Sequence, residues 1–204
     1  MATTMRFVSL LLMNLVIYMS GTAQCSITKH SDPNPAEFVK SSCRTTRYPV
    51  LCVQSLLAYA SVIHRSERQL AITALSVSIS RTRSSASFVK KMSKARGVKG
   101  RERRAVQDCV ENIGDSVERL KQSVRELGRT GVGEHFAWHM SNVQTWVSAA
   151  LTDDNTCLDG FAGSAMNGNV KGAIKERVLH VAQVTSNALA FVNRFASSHP
   201  TQSP

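Results

Sequence analysis

Aromatic residues make up only 6 % of this 204-residue chain, and its five prolines fall near its two ends. A β-sandwich would need turn residues about every 8–12 positions along its length, so this scarcity argues against one. No apolar run after the first segment approaches the roughly 20 residues of a membrane-spanning helix. Also missing are a Gly-rich phosphate loop, a His-Glu-x-x-His pair and a nucleophile elbow, so no catalytic constellation emerges. The cysteines lack any Cys-x2-Cys pair and have no histidine cluster nearby, which disfavours a zinc site. No metal or other cofactor is expected, and the chain does not read as an enzyme.

What is present begins with a short targeting signal. Residues 1–6 carry one basic side chain, 7–19 are almost wholly apolar, and Gly21-Thr22-Ala23 offers the small residues a signal peptidase reads. Residues 1–23 are therefore read as a secretory signal peptide. Its apolar core is too short for a membrane anchor. Removing it leaves about 181 of the 204 residues, enough for one domain with a real core. The formal charge of +11 falls to +10 when Arg6 leaves with the signal. Such a charge attracts acidic polymers without specificity. Secretion makes nucleic acid an unexpected partner.

Five cysteines occur, at 25, 43, 52, 109 and 157. An odd count leaves one thiol over, and Cys25 beside the new N-terminus is the one read as unpaired. The other four allow three connectivities. Local pairing, Cys43 with Cys52 and Cys109 with Cys157, suits the helix order below. Stable disulfides also require an oxidising compartment.

Hydrophobic periodicity is helical throughout. Residues 24–35 are polar and irregular. Two short helices, at 36–42 and 50–60, are expected to form a hairpin over 36–62, with Pro49 starting the second. A first long helix is predicted over 67–92, with Ala71, Leu75, Ile79, Thr82, Ala86 and Val89 as its inner stripe. In the second, Val106, Val110, Ile113, Val117, Leu120, Val124 and Leu127 alternate spacings of four and three, a seam of heptad type. The third is predicted over 134–151, broken by Asp153-Asp154-Asn155, with Cys157 just past its end. The fourth is predicted over 170–196. The expected fold is all-α: an up-down-up-down four-helix bundle over 67–196, preceded by the hairpin. Together they make one domain over 36–196, with 197–204 as a tail.

Few side chains suggest chemistry. His135 and His139 stand at ligand spacing, but a third ligand is missing, so they read as lining a helix end. The basic run from Lys90 to Arg104 reads as a solvated linker with weak affinity for polyanions. Glu111, Asp115 and Glu118 stand at i, i+4 and i+7. They form an acidic strip in a basic protein, either an ordinary solvated face or one that recognises a basic cleft.

Taken together, four segments resemble the plant invertase and pectin methylesterase inhibitor family. They are Cys43-Arg-Thr-Thr-Arg-Tyr-Pro-Val-Leu-Cys52, Gln107-Asp-Cys109, Ser148-Ala-Ala-Leu-Thr-Asp-Asp-Asn-Thr-Cys157-Leu-Asp-Gly-Phe161 and Val184-Thr-Ser-Asn-Ala-Leu-Ala. The resemblance spans about Phe38 to Phe195. It implies a four-helix bundle with an N-terminal hairpin and two local disulfides, and no catalysis. It further implies a one-to-one complex with a cell-wall enzyme whose active cleft the inhibitor covers. Invertase inhibitors of the family carry a Pro-Lys-Phe tripeptide, absent here, which favours pectin methylesterase as the target. Thr156 and Asp159 match enzyme-contacting positions of the methylesterase inhibitors, and Glu111, Asp115 and Glu118 match acidic positions that face the enzyme. The spare cysteine departs from the family pattern, standing at Cys25 instead of late in the chain.

The resulting reading is a secreted, monomeric inhibitor of pectin methylesterase in the apoplast and cell wall. The alternatives are an inhibitor of acid invertase and a basic wall protein that binds acidic pectin through its charge.

Overall fold

The computed structural model of the chain describes residues 34–95, 100–130, 133, 135–162 and 169–199. The expected signal segment, Cys25 and residues 200–204 lie outside the described residues.

The hairpin comes first. Helix α1 (Pro35–Cys43) starts where the Asn34 side chain accepts a hydrogen bond from the Ala36 amide at 3.0 Å, with Pro35 as its first residue. Pro49 likewise opens α2 (Pro49–Leu56), which tightens into a 3-10 turn (Leu57–Tyr59) and ends in the short α3 (Ala60–Ile63). The sequence reading ran one helix through residues 50–60. The turn of 3-10 geometry leaves Leu57 and Tyr59 38 % and 44 % exposed. A disulfide joins Cys43 to Cys52, and both are buried.

A two-way clamp helps fasten the hairpin to the bundle. The Tyr48 amide donates to Asn187 Oδ1 at 3.1 Å, and Asn187 Nδ2 donates to the Tyr48 carbonyl at 2.9 Å. Beside it, Arg194 reaches both Glu67 at 2.7 Å and Ser42 at 2.9 Å. His64 and Arg65 adopt positive φ, 44° and 63°, and turn the chain sharply into the bundle.

Among the described residues the bundle consists of α4 (Glu67–Met92), α5 (Gly100–Arg129), α6 (Phe136–Asp159) and α7 (Asn169–Ser197). Ser66 caps α4 by accepting from the Gln69 amide at 3.2 Å. Each long helix packs on the next, and α7 closes the square against α4, the packing of an up-down-up-down bundle. The predicted stripes face inward: Leu75, Ile79, Thr82 and Val89 on α4, and Val106, Ile113, Val117, Leu120 and Leu127 on α5, are all buried.

Two sequence expectations need correction. The basic run is not all linker: α5 begins at Gly100, so Arg101 to Arg104 are already helical. The third helix is not broken at Asp153-Asp154-Asn155 either, and it continues for two more turns to Asp159. Asp and Asn are poor helix formers because they compete for backbone hydrogen bonds. Here tertiary partners occupy those side chains: Asp153 pairs with Arg119 of α5 at 2.7 Å, and Asp154 points into the core. Cys157 is consequently helical, and its bond to Cys109 links α6 to α5 directly.

Between the core's two apolar clusters lies a buried polar layer with one residue from each bundle helix. Ser78 of α4 and Thr185 of α7 share a hydrogen bond of 2.7 Å. Thr185 also donates to Asp154 Oδ2 of α6 at 3.4 Å. The Ser116 hydroxyl approaches the same carboxyl from α5 without a well-formed hydrogen bond. Burial pushes the Asp154 carboxyl up to about 7, and the negative charge of Asp153 adds to the effect.

Candidate functional site

The antiparallel register of α5 and α6 decides which predicted residues meet. Cys109 is bonded to Cys157, Arg119 pairs with Asp153, and Glu126 accepts a 2.7 Å hydrogen bond from or shares a proton with His139 Nδ1. In that register Glu111 stands level with Thr156, and burial, with a smaller contribution from the nearby charge of Asp115, pushes the Asp153 carboxyl up. The outer face of the α5/α6 pair therefore gathers the acidic strip and Thr156, with Asp159 one turn further along α6. Glu111, Asp115, Glu118, Thr156 and Asp159 are all exposed.

Each has its own local setting. Thr156 donates its hydroxyl to the Thr152 carbonyl one turn back at 2.9 Å, which fixes the side-chain rotamer and leaves the oxygen's lone pairs outward. Asp159 closes the helix with its backbone, its carbonyl accepting from the Ala162 amide at 2.9 Å. Its carboxylate makes no hydrogen bond or ion pair among the described residues. Glu118 pairs with Lys121 one turn on, and the hydrogen bond from that ammonium holds its carboxyl below the usual range. The strip is therefore not uniformly negative: Glu118 is locally compensated, whereas Glu111 and Asp115 have no such partner among the described residues.

The two histidines do not form a ligand pair. His135 precedes the first residue of α6, while His139 turns to Glu126, whose carboxyl it holds below the usual range. Among the described residues no group of three potential ligands gathers. One residue escaped the sequence reading. Trp138, 62 % exposed, lies on α6 on the same line as Thr156, about five turns earlier. Aromatic scarcity was the available signal, because an indole outside the predicted apolar stripe has no core to serve.

The disulfide-stapled bundle thus presents a tryptophan, a threonine and carboxylates without ion-pair partners among the described residues along one outer helix pair. A family model described as Plant invertase/pectin methylesterase inhibitor matches residues 37–191, and the chain belongs to that family. It is 52 % identical over 198 residues to Pectinesterase inhibitor 9 of Arabidopsis thaliana, an alignment covering 93 % of this chain and 96 % of that protein. It is 48 % identical over 165 residues to a Daucus carota protein named 21 kDa protein, covering 80 % and 86 % of the two chains. Among solved structures, mutant form A of a pectin methylesterase inhibitor from Arabidopsis superposes with a TM-score of 0.62. That match covers 76 % of this chain and 95 % of the other at 20 % identity, a likeness of fold alone. The chain thus stands with proteinaceous inhibitors and not with enzymes.

Proposed function

We propose that the chain is a secreted inhibitor of pectin methylesterase, acting in the cell wall as a monomer that binds one enzyme molecule and covers its active cleft. The observation that carries this reading is the exposed α5/α6 face, where Thr156 and Asp159 flank a cysteine bonded to the neighbouring helix. Side chains on helical backbone beside a disulfide lose little freedom on binding, which lowers the cost of association. Trp138 has the character of an interface anchor, since a few aromatic or charged residues carry most binding energy. Glu111 and Asp115 would orient the encounter and speed it. The high identity to a protein named Pectinesterase inhibitor 9 supports the choice of enzyme.

The test assays the purified protein against a plant pectin methylesterase and against an acid invertase. Inhibition of the methylesterase alone is expected. Thr156→Ala with Asp159→Ala should weaken it at least tenfold, about 1.4 kcal/mol, with little change in melting temperature. Inhibition of invertase alone would assign the other target. Unchanged affinity with a lower melting point would make Asp159 a structural residue.

A further inference from the structure

The opposite edge of the bundle carries a second feature, a groove of about 500 Å³ between α4 and α7. Arg81, Ser84 and Phe88 line it from α4, and Glu176, Arg177 and His180 from α7. Its volume falls in the range of small-ligand pockets, roughly 300–1,000 Å³. The Arg177 guanidinium carbon lies over the Phe88 ring, 4.2 Å from its centroid, which helps to pre-order the guanidinium. Arg81 and Arg177 have no carboxylate partner among the described residues. The groove holds two arginines against one glutamate, an excess of positive charge with room beside it.

We propose that the α4/α7 groove binds the carboxylates of an acidic polysaccharide, a run of de-esterified uronate residues, while the α5/α6 face remains open to an enzyme. Guanidinium groups match the planar carboxylate, taking both oxygens at once. The Ser84 and Ser85 hydroxyls lining the groove suit sugar hydroxyls. Burial and the charge of Arg81 hold the His180 imidazole below its usual range. Arg81 is close enough to act on the ring, and an arriving anion would offset that part of the effect. Arg81 stands on α4 and Arg177 on α7, so the groove offers one cation from each wall. The groove and the proposed enzyme-binding face lie on opposite edges of the square, because α4 packs on α7 and α5 on α6. One molecule could then hold the polymer and the enzyme together. The choice of uronate as the polymer rests on the proposed target, whose product is de-esterified galacturonan; the anionic character of the ligand does not.

The experiment titrates the full protein with a de-esterified oligogalacturonide, its fully methyl-esterified counterpart and inorganic phosphate, following the His180 and Phe88 ring resonances. The de-esterified oligomer should shift both, and the ester neither. Arg81→Gln with Arg177→Gln should weaken binding at least fivefold, and Arg81→Lys should retain most of it. Ser84→Asp, at an exposed position that tolerates substitution, should abolish it even where the double variant folds poorly. All these variants should inhibit the enzyme on a soluble substrate as the parent does, which separates this proposal from the inhibitor reading. Equal binding of the ester, unchanged affinity in both the double and the Ser84 variants, or phosphate competing mole for mole with the oligomer would each overturn it.

Discussion

At the hairpin end of the bundle, Phe136, Met140, Phe191 and Phe195 fill the core together with Leu70, Leu75, Leu120 and Leu127, and the hairpin adds Val39, Leu56 and Ile63. At the other end the core is smaller: Val89, Val106, Ile113, Ile174 and Val178, one aromatic in Phe161, and the Cys109–Cys157 disulfide. Each fully buried side chain of this kind contributes roughly 1.5–3 kcal/mol. The first end is therefore held by apolar mass, and the second depends far more on its covalent bond. The candidate residues Glu111, Thr156 and Asp159 stand at that second end. A recognition surface is easier to keep rigid by a crosslink beneath it than by a large core, because exposed polar side chains leave little apolar area to bury.

The difference can be tested by removing the two disulfides in turn. The chain-entropy model assigns about 4 kcal/mol to Cys109–Cys157, whose bonded residues are 48 apart in sequence, and about 3 kcal/mol to Cys43–Cys52, 9 apart. Cys109→Ala with Cys157→Ala should give the larger loss in denaturant unfolding and should also weaken inhibition, by loosening the last turns of α6. Cys43→Ala with Cys52→Ala should lower stability while leaving affinity within about twofold, since Asn187 still clamps the turn at Tyr48. Equal loss of affinity in both variants would erase the proposed division of labour.

The polar layer at the seam predicts a smaller effect with a defined sign. Asp154 has a folded-state pKa of about 7, above its ordinary 3.8. Between those values the folded state holds the proton more tightly than the unfolded chain does, so stability from this group rises as pH falls. From pH 7 to 5 the gain should be about 2 kcal/mol. Asp154→Asn should flatten that part of the pH–stability curve, measured as the difference between parent and variant. Glu126 acts in the other direction and in another window. His139 lowers its folded pKa below the ordinary 4.5, so its stabilisation is present above that value and is lost as pH falls further. A parent curve with no rise between pH 7 and 5 that Asp154→Asn removes would show that the carboxyl is not held protonated in the core.

The smallest effect belongs to the acidic strip. Asp115→Lys with Glu118→Lys should slow association with the enzyme a few-fold, and the change should shrink at high salt. Asp115 should account for most of it, because Lys121 already compensates Glu118. An unaltered association rate would make the strip a plain solvated face.

The sequence reading anticipated α4 to the residue and the seam of α5 in detail, because long apolar periodicity survives any tertiary environment. It missed the last turns of α6, where Asp153-Asp154-Asn155 locally favours a stop. Only Arg119 across the interface and the buried layer with Thr185 make helix the better state there. The segment Val184-Thr-Ser-Asn was legible as a family motif but not as chemistry. In the fold, Thr185 joins the polar layer and Asn187 clamps Tyr48, 139 positions away in the chain. The Arg81–Arg177 groove left no local mark, because apposition between helices is a property of packing.

The sequence by itself determined four amphipathic helices, their order, short connections and cysteines placed for local pairing. Those are consequences of a 3.6-residue period and of chain proximity. The tertiary structure alone decided which polar residues are buried, which carboxylates have partners, and which surfaces share an edge of the bundle. Each of those depends on groups far apart in sequence, whose meeting no local pattern encodes.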